Sequence, residues 1–341
     1  MSLKNLNATK IPKFLKNKLN NFRINQIYKS FEKSLNINED FIVAVSGGPD
    51  SLALAFLAKI YSIKKKVKSK FYIVDHKLRS DSTKEANLVK KILKKNLIHG
   101  EILTWHGKKP VKNVQSLARK KRYDLLIVKS RKLKIKNILL GHHQDDLFEN
   151  FFIRLLRGSG LKGIISLDKK TKIEEINLLR PLLDQKKEDL VFISEHVFNF
   201  YVKDPFNNDE KFLRIGVRRL INELKKKGLD RKKFNTTLKN LKYSNDVISF
   251  YVTKNLEKNT LHSYKKNRII LNKDFFKQPY EVVFRSFSDS LNIINGKYYP
   301  VRGKKIDKIL NEIQENSFLK GTLGGCLIKK VNQTVIISKE Y

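Results

Sequence analysis

Residues 41–51 read Phe-Ile-Val-Ala-Val-Ser-Gly-Gly-Pro-Asp-Ser. Phe41–Ser46 is short and mostly apolar, rich in β-branched residues, which predicts a buried strand. The string Ser46–Ser51 ends the apolar run abruptly, and a helix is expected from about Asp50. Gly47 and Gly48 permit a tight turn with backbone N–H groups directed inward, Ser46 and Ser51 add hydroxyls, and the helix presents its positive end. Together these make a phosphate cradle. It is not a Walker A loop, because no Gly-Lys-Ser/Thr follows. A bare Gly-Gly would read as an ordinary strand–helix turn capped by Asp50 or Ser51. The complete Ser46–Ser51 string behind a β-run reads as a nucleotide site.

Working outward, Phe71–Asp75 predicts a second strand, followed by a helix from about Ser80. Glu101–Trp105 is a weaker third strand. A long helix is expected over Val114–Lys134, a fourth strand over Asn137–His142, and a helix over Gln144–Arg157. Such alternation predicts an α/β fold with a doubly wound, mostly parallel sheet. In these sheets ligands bind beyond the carboxyl ends of the strands. After about Lys225 the chain turns Lys-rich and helical, with a break at Gly228. It then mixes short strands and helices, ending in strands near 324–330 and 333–339. The expected organisation is a basic tail over 1–24, a nucleotide-binding catalytic domain over 25–222, and a smaller helical and α+β region over 223–341.

The 341 residues include 72 Lys and Arg against 33 Asp and Glu, a formal net charge of +39. That excess suits a polyanionic partner. A chain this rich in Lys, Asn and Ile could also owe it to compositional bias, so charge alone names no ligand. Hydrophobic residues at 40% suffice for a core and exclude wholesale disorder. A single cysteine excludes a disulfide framework and a Cys-ligated zinc site and suits a reducing compartment. No apolar run approaches the ~18 residues of a membrane span. A cytoplasmic location is expected.

The second informative stretch is Gly141-His142-His143-Gln144-Asp145-Asp146-Leu147-Phe148-Glu149-Asn150, at the end of the fourth strand. Asp146 and Glu149 are three apart and share a helical face, while Leu147, Phe148, Phe151, Phe152 and Leu155 are expected to be core. Acids in a first turn also favour the helix dipole. That accounts for one of them more easily than for the whole His/Asp/Asp/Glu group, which could also hold a metal. A literal GxGxxG at Gly158–Gly163 is set aside, because a dinucleotide fingerprint follows a strand and this one follows a helix.

The Ser46–Ser51 string resembles the SGGxDS signature of the PP-loop ATP-pyrophosphatase superfamily. That resemblance implies ATP bound by Ser46, Gly47, Gly48, Pro49, Asp50 and Ser51, attack at its α-phosphate, and Mg²⁺ carried mainly on its phosphates. Sulfur-inserting members depend on cysteines near the sheet edge, and the lone Cys326 lies near the C-terminus, so a nitrogen nucleophile is expected. Further segments sharpen the match. They are Val74–Arg79, Ala118–Tyr123, Arg157–Gly163, Arg180–Leu183, Asp204–Asn207 and the pair Arg214 and Arg218. In this order, the set over about 25–222 resembles the tRNA(Ile)-lysidine synthase family. Leu147 stands where that family usually has Gln and Asn150 where Thr is common. The C-terminal region matches loosely, through Thr322–Cys326.

The resemblance implies that ATP adenylates the wobble cytidine of an isoleucine tRNA with a CAU anticodon. Free L-lysine then displaces AMP to give lysidine. Adenylation turns the cytosine carbonyl oxygen into a good leaving group. An amine of pKa ~10.4 is neutral in only about one molecule in 2,500 at pH 7, so a carboxylate must take its proton. Asp146 and Glu149 are expected to hold the ammonium, with His142 and Asp145 assisting. Asp75, His76, Arg79, Arg119, Arg122, Arg214 and Arg218 are expected to contact phosphate or substrate. Two rival readings remain: another PP-loop adenylating enzyme such as a thiolase, and a non-catalytic RNA-binding relative.

Overall fold

The computed structural model describes residues 11–340 except 79, 108–113, 203–212, 264–266 and 297–300. Two compact units divide between Leu229 and Asp230.

The first unit is built on a six-stranded sheet of order β3-β2-β1-β4-β6-β5. Its strands are β1 (Phe41–Val45), β2 (Ser69–Asp75), β3 (Gly100–Thr104), β4 (Asn137–Leu139), β5 (Lys170–Ile173) and β6 (Ile176–Leu179). All pairings are parallel except the β5–β6 hairpin, which the sequence reading did not anticipate. The period-2 alternation of a buried strand divides β1 and β2 between two cores. Phe41, Val43, Val45, Phe71 and Ile73 face one core with residues of α2 (Phe22–Leu35), α3 (Pro49–Lys65), α4 (Ser82–Lys95) and α8 (Lys187–Phe198). Ile42 and Tyr72 face the other, with Leu126 of α5 (Val114–Leu133).

The order places β1 between β2 and β4, so the chain leaves β1 in one direction and later returns on its other side. That is the switch point at which open α/β sheets bind ligands. The loops after β1 and β4 therefore lie side by side. A Cβ on Gly141 would sit 3.2 Å from backbone atoms of Asp50 and Ser51, a spacing that favours glycine there. The start of α3 is braced by α8, where the Ser194 hydroxyl donates to the Pro49 carbonyl at 2.7 Å.

Two expectations need correction. Residues 12–24 are not a solvated tail: α1 (Lys13–Leu19) and α2 carry Leu15, Leu19 and Ile24 into the first core, and burial of those side chains outweighs the local charge. The apolar face of α6 (Gln144–Leu156) is not uniformly core either. Phe148 is buried, Leu147, Phe151 and Phe152 are half-buried, and Leu155 is exposed. The division between units, expected near 222–230, falls after Leu229, and α9 (Leu213–Lys226) belongs whole to the first unit.

The second unit opens with α10 (Arg231–Asn259) and contains an antiparallel sheet of order β7-β8-β11-β10-β9. Its strands are β7 (Thr260–Ser263), β8 (Arg268–Leu271), β9 (Lys320–Leu323), β10 (Cys326–Val331) and β11 (Thr334–Lys339). Helices α11 (Tyr280–Asn295) and α12 (Gly303–Gln314) bury Phe287, Leu291, Ile306 and Leu310 against Ile328, Val335 and Ile337. Among the described residues no helix is long and apolar enough to cross a membrane.

Candidate active site

The turn after β1 is held from inside by its own serines. The Ser51 hydroxyl donates to the Gly48 carbonyl (2.9 Å) and accepts from the Ser46 N–H (3.1 Å) and the Ser46 hydroxyl (3.2 Å). Both hydroxyls thus shape the turn. The groups left for an anion are the first-turn N–H groups of α3, which have no carbonyl within the helix, together with its dipole. Gly47 adopts φ +85°, a left-handed conformation. A Cβ there would lie 2.5 Å from Val89 Cγ2 and 3.0 Å from Val202 Cγ2. The Gly47 carbonyl accepts from the Val202 N–H at 2.9 Å.

The second loop supplies an acidic helix start. His143 is the N-cap of α6. Its Nδ1 accepts from the Asp145 N–H at 3.3 Å, and its own N–H donates to Asp146 Oδ2 at 2.8 Å. This reciprocal capping fixes Asp145, Asp146 and Glu149 relative to the sheet edge. The Gln144 N–H donates to the Gln185 carbonyl at 3.2 Å, tying α6 to the segment that opens α8. Burial opposes charge on Asp146, but His143, whose N–H it accepts, and the Arg214 guanidinium outweigh it, holding the carboxyl below the usual range. Burial drives the His142 imidazole down, and nearby Arg119 and Arg180 add to this, so it is neutral. Its Nδ1 is buried with no hydrogen-bond partner among the described residues.

His143, Asp145 and Glu149 line a cavity of about 310 Å³ with Lys187, Arg218, Ile221 and Lys225. Glu149 is buried and accepts from Arg218 Nε at 2.6 Å. Burial works against charge on Arg218, yet Glu149 and the other acids outweigh it and raise its pKa. The Lys225 ammonium lies 3.8 Å from Asp145 Oδ1 and 5.9 Å from the centre of the Phe148 ring. Lys187, also in the lining, donates from Nζ to both Asp50 oxygens, at 2.7 and 2.6 Å. His143 Nε2 is 3.8 Å from the same carboxylate. Asp50 therefore joins the turn after β1 to this cavity, where two carboxylates stand among three cations.

The other expected residues fall in two groups. Arg119 donates to the Tyr123 hydroxyl at 3.2 Å and stacks over its ring, and the buried Arg180 donates to the Asp168 carbonyl and the Thr171 hydroxyl, each at 2.8 Å. Arg122 Nε donates to His76 Nε2 at 3.3 Å. Burial and Arg122 push the His76 pKa down to about 4, so this histidine is an acceptor. Asp75 is not a free substrate contact. It is buried and accepts from Thr83 (2.6 Å), Ser82 (2.8 Å) and the Lys77 N–H (2.9 Å), fastening the loop after β2. Burial opposes its charge, but these bonds prevail and lower its pKa. Arg79 and Asp204–Asn207 lie outside the described residues. Lys187 and Lys225 were missed by sequence reasoning. Lys187 was findable, as a cation just beyond β6 at the ligand-binding edge of the sheet, whereas Lys225 was hidden in a Lys-rich run.

Among the described residues no group of three or more His, Cys, Asp or Glu side chains is arranged to hold a metal ion. The carboxylate nearest the cradle, Asp50, is engaged by Lys187.

The PP-loop domain family matches residues 17–224. The tRNA(Ile)-lysidine synthase of Orientia tsutsugamushi is 33% identical over 318 residues, covering 89% of this chain and 70% of that protein. The enzyme of the same name from Rickettsia felis is 30% identical over 327 residues, covering 92% and 74%. Among solved structures, the U34-tRNA thiolase NcsA from Methanococcus maripaludis, with its [4Fe–4S] cluster, aligns with a TM-score of 0.54. It covers 65% of this chain and 78% of that one at 18% identity, a likeness of fold alone. The matching domain and the two close relatives place the chain in the tRNA(Ile)-lysidine synthase family of PP-loop, ATP-using enzymes.

Proposed function

We propose that this enzyme joins free L-lysine to C2 of the wobble cytidine of an isoleucine tRNA with a CAU anticodon, in the cytoplasm, consuming ATP to AMP and pyrophosphate. The observation that carries the reading is the continuity of two sites of opposite character. A turn and helix start suited to phosphate meet, through Asp50, a cavity whose Asp145 and Glu149 already hold cations, Lys225 and Arg218, as they would a substrate ammonium.

In the first step the C2 oxygen of cytosine attacks the α-phosphorus, and the bond to pyrophosphate breaks. The α3 N-terminus receives the leaving phosphates, and Lys187 moves from Asp50 towards them, a cation at developing negative charge. Arg119, Arg122 and Arg214 are assigned to the α-phosphate and the base. Mg²⁺ would accompany ATP on its phosphates and offset part of their charge. In the second step the lysine ε-nitrogen bonds to C2 and AMP leaves with the former carbonyl oxygen. The amine's surplus proton passes to a carboxylate. The expected ammonium partners were Asp146 and Glu149. Asp145 and Glu149 line the cavity, and Lys225 beside Asp145 supports an ammonium there. We therefore assign the amine to Asp145 and Glu149, and to Asp146 the fixing of His142 and His143.

The test is incubation with ATP, radiolabelled lysine and unmodified tRNA(Ile) bearing CAU. Label in the RNA is expected. Pyrophosphate release without label would favour another adenylating chemistry, and neither signal would favour a binding protein.

A further inference from the structure

Helix α10 carries seven Lys and Arg and two acids over its 29 residues. Its buried residues Phe234, Leu238, Val252 and Asn255 fall on one side by helical periodicity. The opposite side presents Lys239, Tyr243, Val247, Phe250, Tyr251 and Lys254. Tyr243, Val247, Phe250 and Tyr251 are each more than half exposed. A run of large apolar side chains opposite the packed face does nothing for the core and is costly in water.

The chemistry of the stripe narrows what covers it. The Lys239 ammonium lies 5.4 Å from the Tyr243 ring centre, and that of Lys254 lies 4.4 Å from the Phe250 ring. Phe250 and Tyr251 meet edge to face at 5.5 Å. Each ring is thus held by a neighbour, with cations beside it. The acids Asp246 and Glu257 fall towards one margin. A second copy of this helix would set lysine against lysine. A partner that supplies flat rings and negative charge together fits both features, and unpaired RNA does so: its bases stack on aromatic side chains while its phosphates meet the lysines.

We infer that the Tyr243–Phe250–Tyr251 stripe is a stacking platform for unpaired nucleotides of the RNA substrate. This rests on the reading that the substrate is a tRNA, and makes α10 a shaped contact rather than a source of diffuse attraction. The experiment measures binding of full-length protein to unmodified tRNA(Ile) transcript across a salt series, with lysidine formation followed in parallel. Tyr243→Ala and Phe250→Ala should each weaken binding about tenfold with the salt slope unchanged, whereas Tyr243→Phe and Phe250→Tyr should bind like wild type. Lys239→Ala with Lys254→Ala should reduce the salt slope. The rings are exposed, so melting curves should not move.

Ring variants that bind like wild type while wild type makes lysidine would overturn the platform alone. Wild-type protein that binds no RNA would overturn both readings. Ring-dependent RNA binding without lysidine formation would sustain the platform and sink the proposed reaction. Self-association abolished by the ring variants, with RNA binding intact, would reassign the stripe to a second copy.

Discussion

Replacing Gly47 by alanine tests whether the nucleotide turn is shaped by close packing and by its left-handed backbone. Two costs follow from the structure. The φ of +85° is unfavourable for any residue with a Cβ, by about 1–2 kcal/mol. The new Cβ would also lie 2.5 Å from Val89 Cγ2 and 3.0 Å from Val202 Cγ2. Forcing a methyl into such packing costs about 1–3 kcal/mol. If the turn keeps its shape, the whole penalty of about 2–5 kcal/mol appears as lost stability. For a unit of this size that is a fall in Tm of roughly 4–20 °C. If the turn relaxes, the Gly47 carbonyl leaves the Val202 N–H, the first-turn N–H groups of α3 shift, and the cost appears as a raised KM for ATP. Thermal melts with and without ATP, together with tRNA-dependent pyrophosphate release, read both routes. Gly47→Ala with Val89→Ala removes the nearer clash and should recover the packing part but not the backbone part. A Gly47→Ala protein that melts and turns over like wild type would refute the reasoning.

Three further outcomes are expected. Glu149→Gln keeps a group able to accept from Arg218 but loses a proton acceptor, so lysine incorporation should fall about 10²–10⁴-fold while pyrophosphate release persists; loss of both in parallel would place Glu149 elsewhere in the cycle. Lys187→Ala should raise the KM for ATP more than that for lysine, and an unchanged ATP dependence would remove Lys187 from the phosphates. His76 has its pKa lowered to about 4 from 6.5. Between those values the unfolded chain takes up a proton that the folded protein refuses, so stability should decline as pH falls from about 6.5 towards about 4. His76→Gln should flatten that part of the urea-unfolding profile, and an identical profile would count against the neutral, Arg122-bonded imidazole.

The parallel sheet was legible because buried strands are short, β-branched runs and their helices fill the intervals. Phe41–Val45 and the turn after it needed no tertiary information. The β5–β6 hairpin was not legible, since Lys170–Ile173 is an exposed polar edge with little apolar signal. The helix at Lys13–Leu19 was misread because lysines mask the spacing of Leu15 and Leu19. At the site, Ser46–Ser51 and His142–Glu149 were found as strings, and the fold brings both to one edge. Their division of labour was not readable. That Asp75 is consumed by the loop after β2, that Ser51 bonds inward, and that Lys187 grips Asp50 all depend on contacts far apart in sequence. The Leu155 side of α6 failed for a related reason: helical spacing finds an apolar face but not what covers it.

One catalytic cycle should convert one ATP and one lysine into one lysidine at the wobble position. Digesting the reacted tRNA to nucleosides, and identifying the product by mass spectrometry while AMP and pyrophosphate are counted, measures this stoichiometry. Lysidine should replace a single cytidine, with AMP and pyrophosphate each formed in equal number to it. A thiolated or unmodified cytidine, or AMP formed without lysidine, would contradict it.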